Sequence, residues 1–258
     1  MHTCRNLKVN NLGFSFEDKK DSIFNELSFE IEKGHILAII GDNGSGKTTL
    51  LKLLLGVYKP DNGRITYEQK DKQNTLAEIT GLISYLPQFE QIPQGFLVNE
   101  YILLGRMPFL SFFGKPSKKD LEKVDEIMGE LNLSQYSSIQ IGKISGGELQ
   151  RVRIARALAQ EPAVILLDEP ATHLDISKKQ MFFSLLTQFQ TKGKIIVFST
   201  NDPNEALNYS DFTLLINKIQ PALFGETKRV ITPKTISKYF QVESEFINLN
   251  NREMIFYK

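Results

Sequence analysis

Eight consecutive residues, Gly41-Asp42-Asn43-Gly44-Ser45-Gly46-Lys47-Thr48, fit the pattern G-x-x-x-x-G-K-[ST]. Each position has a chemical reason. The glycines let the backbone wrap closely round a phosphate and turn several N–H groups toward it. A helix starting at Lys47 would add the positive end of its dipole. Lys47 is long enough to reach the outer phosphates, and the Thr48 hydroxyl suits Mg²⁺. The bland alternative is a glycine turn before an ordinary helix. Context argues against it: an apolar run, His35 to Ile40, leads in, and a helical stretch, Lys47 to Leu55, leads out.

A second group of chemistry-bearing residues ends another apolar run, Ala163-Val164-Ile165-Leu166-Leu167-Asp168-Glu169-Pro170. A buried strand finishing in two carboxylates places Asp168 at the carboxyl edge of a sheet, where open α/β proteins bind ligands. There Asp168 can hold Mg²⁺ and Glu169, one residue on, can polarise an attacking water. Alone, an Asp-Glu pair is as well explained by a surface turn. Its meaning comes from the phosphate loop on a separate strand upstream.

The elements that must position these residues follow from patterning. Leu7 to Val9, Phe14 to Phe16 and Leu27 to Ile31 alternate as half-buried strands do. His35 to Ile40 is suited to a strand covered on both faces. Gly63 to Tyr67 and Leu82 to Tyr85 are further strands, separated by a polar loop over Glu68 to Glu78. Beyond Gln88 the pattern turns helical. Val98 to Gly105 predicts a short helix, and Arg106 to Pro116 an aromatic loop. Ser117 to Asp120 forms a capping box for a helix whose apolar face is Leu121, Val124, Met128 and Leu131. Another helix runs from Gly146 to Gln160. Strand patterns return at Ala163 to Leu167, Lys194 to Ser199 and Phe212 to Ile216, with a helix from Ile176 to Lys192. Thr232-Pro233 opens a last helix, and the residues from Ser244 on suit a terminal hairpin. Strands alternating with helices imply a mostly parallel sheet, interrupted by a helical insertion.

Composition excludes several classes. The 258 residues carry 31 basic and 30 acidic side chains, a net charge of 31 − 30 = +1. That balance gives no basic field for a nucleic acid or acidic membrane. A single cysteine, Cys4, makes neither an internal disulfide nor a multi-cysteine zinc site. No apolar stretch approaches the roughly 18–20 residues of a membrane span. The first five residues, Met1 to Arg5, lack the apolar core of a secretory signal.

With both motifs in hand, Ile144-Ser145-Gly146-Gly147-Glu148-Leu149-Gln150-Arg151 resembles the signature L-S-G-G-Q of ABC-transporter ATPases. Physically it is a second anion cap, because Ser145 and the N–H groups of Gly146 and Gly147 open a helix. Ile144 and Glu148 depart mildly from the family pattern. The resemblance covers nearly the whole chain. It implies a P-loop NTPase (RecA-like) core with a mostly parallel sheet, an N-terminal antiparallel β subdomain and an inserted α-helical subdomain. The core would span 1–88 and 162–258, and the helical subdomain 89–161, within one domain of 1–258. It further implies ATP held by Gly41 to Gly46, Lys47, Thr48 and Thr49, with Phe16 stacked on adenine. Mg²⁺ would be met by Thr48, Gln88 and Asp168. Catalysis would rest on Glu169, Gln88, Lys47 and the residue after the Lys194–Ser199 strand. In a head-to-tail homodimer, Ser145, Gly146, Gly147, Glu148 and the interface Asp175 would cover the ATP of the other subunit. His173 belongs to the same interface loop.

One departure bears on rate. The family has a histidine where this sequence has Asn201, in Ser199-Thr200-Asn201-Asp202-Pro203. Asparagine donates a hydrogen bond but carries neither proton nor charge, so hydrolysis is expected to persist at a reduced rate. Asn201 is open to two readings, a natural divergence or a substitution introduced to trap ATP. Val98 to Pro108 and Phe112 to Ser117 resemble the ATPases of iron–siderophore, haem and cobalamin importers and of a related molybdate importer. That implies two integral-membrane permease subunits, an extracytoplasmic solute-binding protein, and a place on the cytoplasmic face of the membrane. Phe109, Phe112 and Phe113 would anchor a permease helix or else pack inside the insertion. The rivals to an import ATPase are a regulatory cassette that barely hydrolyses ATP, and a soluble ABC ATPase acting on nucleic acid or ribosomes.

Overall fold

The run from His35 to Ile40 forms strand β3 (Ile36–Ile40), and all five of its residues are buried. Ile36, Ala38 and Ile40 enter one hydrophobic cluster, Leu37 and Ile39 another. Alternate side chains leave a strand on opposite faces, so a strand apolar at every position must be covered twice. The computed structural model describes residues 3–16, 22–69, 72–74, 81–110, 114–172, 174–249 and 252–257.

Strand β3 lies inside a six-stranded sheet with β6 (Ile83–Leu86), β7 (Val164–Leu167), β8 (Ile195–Thr200), β9 (Phe212–Leu215) and β10 (Leu223–Glu226). The order is β10-β9-β3-β8-β7-β6. Five of these strands run parallel, and β10 closes one edge antiparallel to β9. A second, antiparallel sheet has the order β2-β1-β4-β5, from β1 (Asn6–Phe14), β2 (Phe24–Glu32), β4 (Asn62–Gln69) and β5 (Lys72–Asn74). Helix α1 (Lys47–Leu54) buries Leu50, Leu51, Leu53 and Leu54 in the cluster that this second sheet shares with β3.

The other cluster covers the opposite face of the parallel sheet with α5 (Ile176–Thr191), α6 (Pro203–Tyr209) and α8 (Pro233–Phe240). It continues into α2 (Val98–Leu103), α3 (Lys118–Glu130) and α4 (Gly146–Ala159). A short α7 (Thr227–Val230) follows β10, and the hairpin of β11 (Ser244–Leu249) and β12 (Arg252–Tyr257) ends the chain as expected.

Several elements differ from the sequence reading, each for a local reason. Leu7–Val9 and Phe14–Phe16 do not form two strands. Leu7–Val9 and Phe14 lie in the single strand β1, which stops at Phe14 and leaves Ser15 and Phe16 outside. The register slips between Val9 and Leu12, where Asn11 has φ 47°. A bulge shifts the buried positions from Leu7 and Val9 to Leu12 and Phe14, which breaks the period-two pattern. The polar segment after Glu68 holds β5, while 70–71 and 75–80 lie outside the described residues. A 3₁₀ turn, Leu104–Phe109, occupies the start of the expected aromatic loop. Two helices, α6 and α7, and the edge strand β10 were not expected. At seven, four and four residues, they are too short to display a period.

Helix α3 begins at Ser117 with the expected capping box, but its faces differ. Leu121 is 49% exposed, and Asp120 is buried instead. Asp120 meets Arg106 Nε at 2.9 Å, and the Arg106 guanidinium also donates to the Ala159 carbonyl at 2.7 Å and to Glu161 at 3.0 Å. A buried arginine needs such partners, and this one draws a carboxylate into the packing.

Candidate active site

The phosphate loop leaves β3 at Gly41 and enters α1 at Lys47. A Cβ on Gly41 would lie 2.2 Å from the Ile216 carbonyl oxygen and 2.6 Å from Ser45 Oγ. Gly46 caps the helix with φ 105°, a conformation that L side chains rarely adopt. The loop is therefore drawn tight against β9, and its glycines are steric necessities. Lys47 is 5% exposed. Its Nζ donates to the carbonyls of Gly41 (2.7 Å) and Asp42 (3.2 Å) and stands 3.4 Å from Glu169 Oε1.

Asp168 and Glu169 follow β7 directly, beside the carboxyl end of β8 and one strand over from β3. Thr48 Oγ1 donates to Asp168 Oδ2 at 2.8 Å, which unites the two sequence motifs across 120 residues. Gln88, just past β6, donates from Nε2 to Glu169 Oε2 at 2.9 Å. Glu169 thus has Lys47 on one carboxylate oxygen and Gln88 on the other. A cavity of about 100 Å³ lies here, lined by Gln88, Gly146, Gln150, Asp168 and Glu169 among others. The structure brings Lys47, Thr48, Gln88, Asp168 and Glu169 into mutual contact.

Two side chains at this edge were not anticipated. Ser199 Oγ donates to Asp168 Oδ1 at 2.7 Å and accepts from the Glu169 N–H at 2.8 Å. The hydroxyl of Tyr85 lies 3.4 Å from Asp168 Oδ2, and burial, reinforced by the Asp168 charge, pushes its pKa up. Ser199 follows the apolar run Ile195–Phe198, and its partner Asp168 is 31 residues away, so no local pattern marks it out.

A lysine, a threonine–aspartate pair and a glutamine–glutamate pair thus share one sheet edge at the end of a glycine-rich loop. Residues 24–172 match the family model described as ABC transporter. The chain belongs to the ABC transporter family. As an ABC ATPase it binds and hydrolyses ATP in a reaction coupled to transport. The molybdate import ATP-binding protein MolC of Haemophilus influenzae is 36% identical over 92% of this chain and 88% of its own length. A probable iron chelatin transport ATP-binding protein of Helicobacter pylori is 31% identical over 97% of this chain and 98% of its own. A solved structure described as an inward-facing conformation of a putative metal-chelate type ABC transporter superposes with a TM-score of 0.87 at 33% identity, covering 98% and 97% of the two chains.

The remaining ABC motif residues take these places. Ser145 caps α4 in a reciprocal box: its hydroxyl accepts from the Glu148 N–H, and the Glu148 carboxylate accepts from the Ser145 N–H at 2.7 Å. Tyr136 also donates to Glu148, and these hydrogen bonds, Tyr136 first, lower the Glu148 pKa to about 2. Gly147 packs against the Lys178 side chain, where a Cβ would lie 2.5 Å from its carbons. Asp175 is the N-cap of α5. Bonds from Lys178, its side chain first and then its N–H, and from Ser177 hold it at a pKa of about 2. Phe16 packs edge-on against Phe14 and Tyr58, at ring separations of 5.1 and 5.6 Å. Asn201 is exposed just beyond β8. Phe109 lies under the Arg106 guanidinium at 4.3 Å. Phe112, Phe113 and His173 fall outside the described residues. Cys4, given no role by the sequence, is buried, and burial pushes its thiol to about 12. Among the described residues no helix is long and apolar enough to cross a membrane.

Proposed function

We propose that this chain powers the uptake of a metal-containing solute, a metal oxyanion or a chelate, through separate permease subunits. The observation that carries the site assignment is the convergence of Lys47, Thr48, Gln88, Asp168 and Glu169 within one set of contacts. The names of the relatives supply the solute class, covering molybdate, manganese and iron chelates.

In this reading Gly41 to Gly46 present backbone N–H groups to the ATP phosphates, with Lys47 on the outer ones, Thr49 in the first turn and Phe16 against the adenine. The residues suit Mg²⁺. Thr48 and Asp168 are hard oxygen donors already 2.8 Å apart, and Gln88 adds an amide oxygen. Among the described residues no three His, Cys, Asp or Glu side chains form a metal cluster. One carboxylate plus a hydroxyl is the donor set for an ion that also takes its ligands from phosphates. Bound there, Mg²⁺ would neutralise charge on the phosphate oxygens. Glu169 takes the proton of the attacking water. Gln88, hydrogen-bonded to that carboxylate, orients the water, and Asn201 supplies a neutral donor nearby.

The same reading divides the chain into a nucleotide-binding core, 1–88 and 162–258, and a helical subdomain, 89–161. Two copies close head to tail, so that Ser145, Gly146, Gly147, Glu148 and Asp175 of each complete the site of the other. The dimer sits on the cytoplasmic face of the membrane against two permease subunits, served by an extracytoplasmic binding protein. Phosphate release by the purified chain with MgATP tests the catalytic assignment. The Glu169→Gln variant should bind ATP but turn over about 10²–10⁴-fold more slowly. Equal rates in the two proteins would remove Glu169 from its role. Co-purification with a multi-span permease tests the transport assignment.

A further inference from the structure

We propose that Ser199 is a positioning residue for hydrolysis, fixing the metal carboxylate and the base with a single hydroxyl. Ser199 has no solvent exposure. Leu167 pairs with Phe198 in parallel register, which sets Ser199 beside Asp168 just past the end of β7. Its Oγ makes two short bonds of opposite sense. It accepts from the Glu169 N–H at 2.8 Å and donates to Asp168 Oδ1 at 2.7 Å. The first bond occupies a lone pair, so the second fixes where the proton points.

Each bond settles one feature of the site. The bond to Oδ1 sets the rotation of the Asp168 carboxylate and leaves Oδ2 toward Thr48, 2.8 Å away. The bond from the Glu169 N–H holds a residue at φ 44°, left-handed backbone that a non-glycine residue seldom adopts. Strain of this kind persists where surrounding contacts over-determine it. In that conformation Glu169 meets Lys47 and Gln88. Ser199 therefore acts through two neighbours that the chemistry uses, without touching the reacting atoms.

The inference rests on the assignment of Asp168 to Mg²⁺ and of Glu169 to the attacking water. Its test uses the full chain with Ser199→Cys, which keeps the volume but offers only a weak donor and acceptor, and Ser199→Ala. ATP turnover is followed as Mg²⁺ is titrated, and ATP affinity is measured separately in excess chelator. Outer-shell partners of metal ligands are worth about 10–100-fold. Turnover should fall, and the half-saturating Mg²⁺ concentration rise, by amounts in that range. Mg²⁺-free ATP affinity should stay within about twofold, because the phosphate loop is untouched. A merely structural hydroxyl would lower thermal stability and leave the Mg²⁺ requirement alone. The proposal is overturned if Ser199→Cys matches the parent in both turnover and Mg²⁺ requirement, or if ATP affinity without Mg²⁺ falls as far as turnover does. Asp168→Asn, run alongside, separates the two ideas. If it raises the Mg²⁺ requirement and Ser199→Cys does not, only the Ser199 role fails. If neither raises it, the metal assignment fails, and the Ser199 role with it.

Discussion

Two buried polar networks in this molecule obey the same electrostatic rules to different ends. At the sheet edge, Lys47, Thr48, Gln88, Asp168 and Glu169 bond to one another, and several of them line an open cavity. Between α3 and α4, Arg106 is 4% exposed and bonds to Asp120, the Ala159 carbonyl and Glu161. Through buried Asp120, the Ala159 carbonyl and partly exposed Glu161, Arg106 ties α3 to the end of α4. In the proposed reading, the sheet-edge groups are partners that an incoming anion and cation would replace. Lys47 is the clearest case, since the loop carbonyls it now bonds belong to the same loop that would cradle phosphate. Saturated charge stiffens, whereas exchangeable charge makes a site.

The sharpest way to break this comparison is Arg106→Ala. It leaves Asp120 buried without its cation, and removing one partner of a buried pair costs about 3–5 kcal/mol. Chemical denaturation of the full chain should show a loss of that size, with ATP affinity of the folded protein unchanged. A loss below about 1 kcal/mol would mean that the cluster is not what ties α3 to the end of α4.

Next in size is Asn201→His, on the exchangeable side. The backbone there is already set: Thr200 Oγ1 donates to Glu205 at 2.6 Å and accepts from the Asp202 N–H at 3.1 Å. The substitution therefore changes the side chain and leaves the loop in place. Restoring a strong donor at a transition state is worth about 10²–10³ in rate, roughly 2.7–4 kcal/mol. Phosphate release should rise toward that range, and an unchanged rate would show that asparagine already supplies the needed contact.

The same contrast explains what could be read in the sequence. Signals contained within a few residues were legible. The phosphate loop, the box at Ser117–Asp120, the helix start at Ser145-Gly146, the Thr232-Pro233 start and the doubly buried β3 all carry their cause locally. Features set by distant partners were not. Asp120 turns inward because of Arg106, 14 residues away, and this displaced Leu121 from the expected face of α3. Ser199 gains its importance from Asp168, 31 residues away, and nothing local to Phe198-Ser199-Thr200 states it. The bulge near Asn11 hid one strand as two, because a single inserted residue reverses the alternation on which strand reading depends.

The smallest expected effect probes the most local network, the cap of α4. Tyr136 and the Ser145 N–H hold Glu148 as a carboxylate, lowering its pKa from 4.5 to about 2 in the folded chain. The sign follows from linkage: a depressed acid pKa means that the unfolded state binds the proton more readily. The stabilisation is complete above about pH 4.5, where the carboxylate is ionised in both states. It is lost as pH falls from there toward 2. Glu148→Gln removes the titrating group and keeps the shape. The melting-temperature gap between parent and variant should be constant from neutral pH down to about pH 5 and shrink below it. A gap that does not depend on pH would show that the charge of Glu148 contributes nothing to the cap. The Ser145 hydroxyl and the helix backbone would then account for all of it.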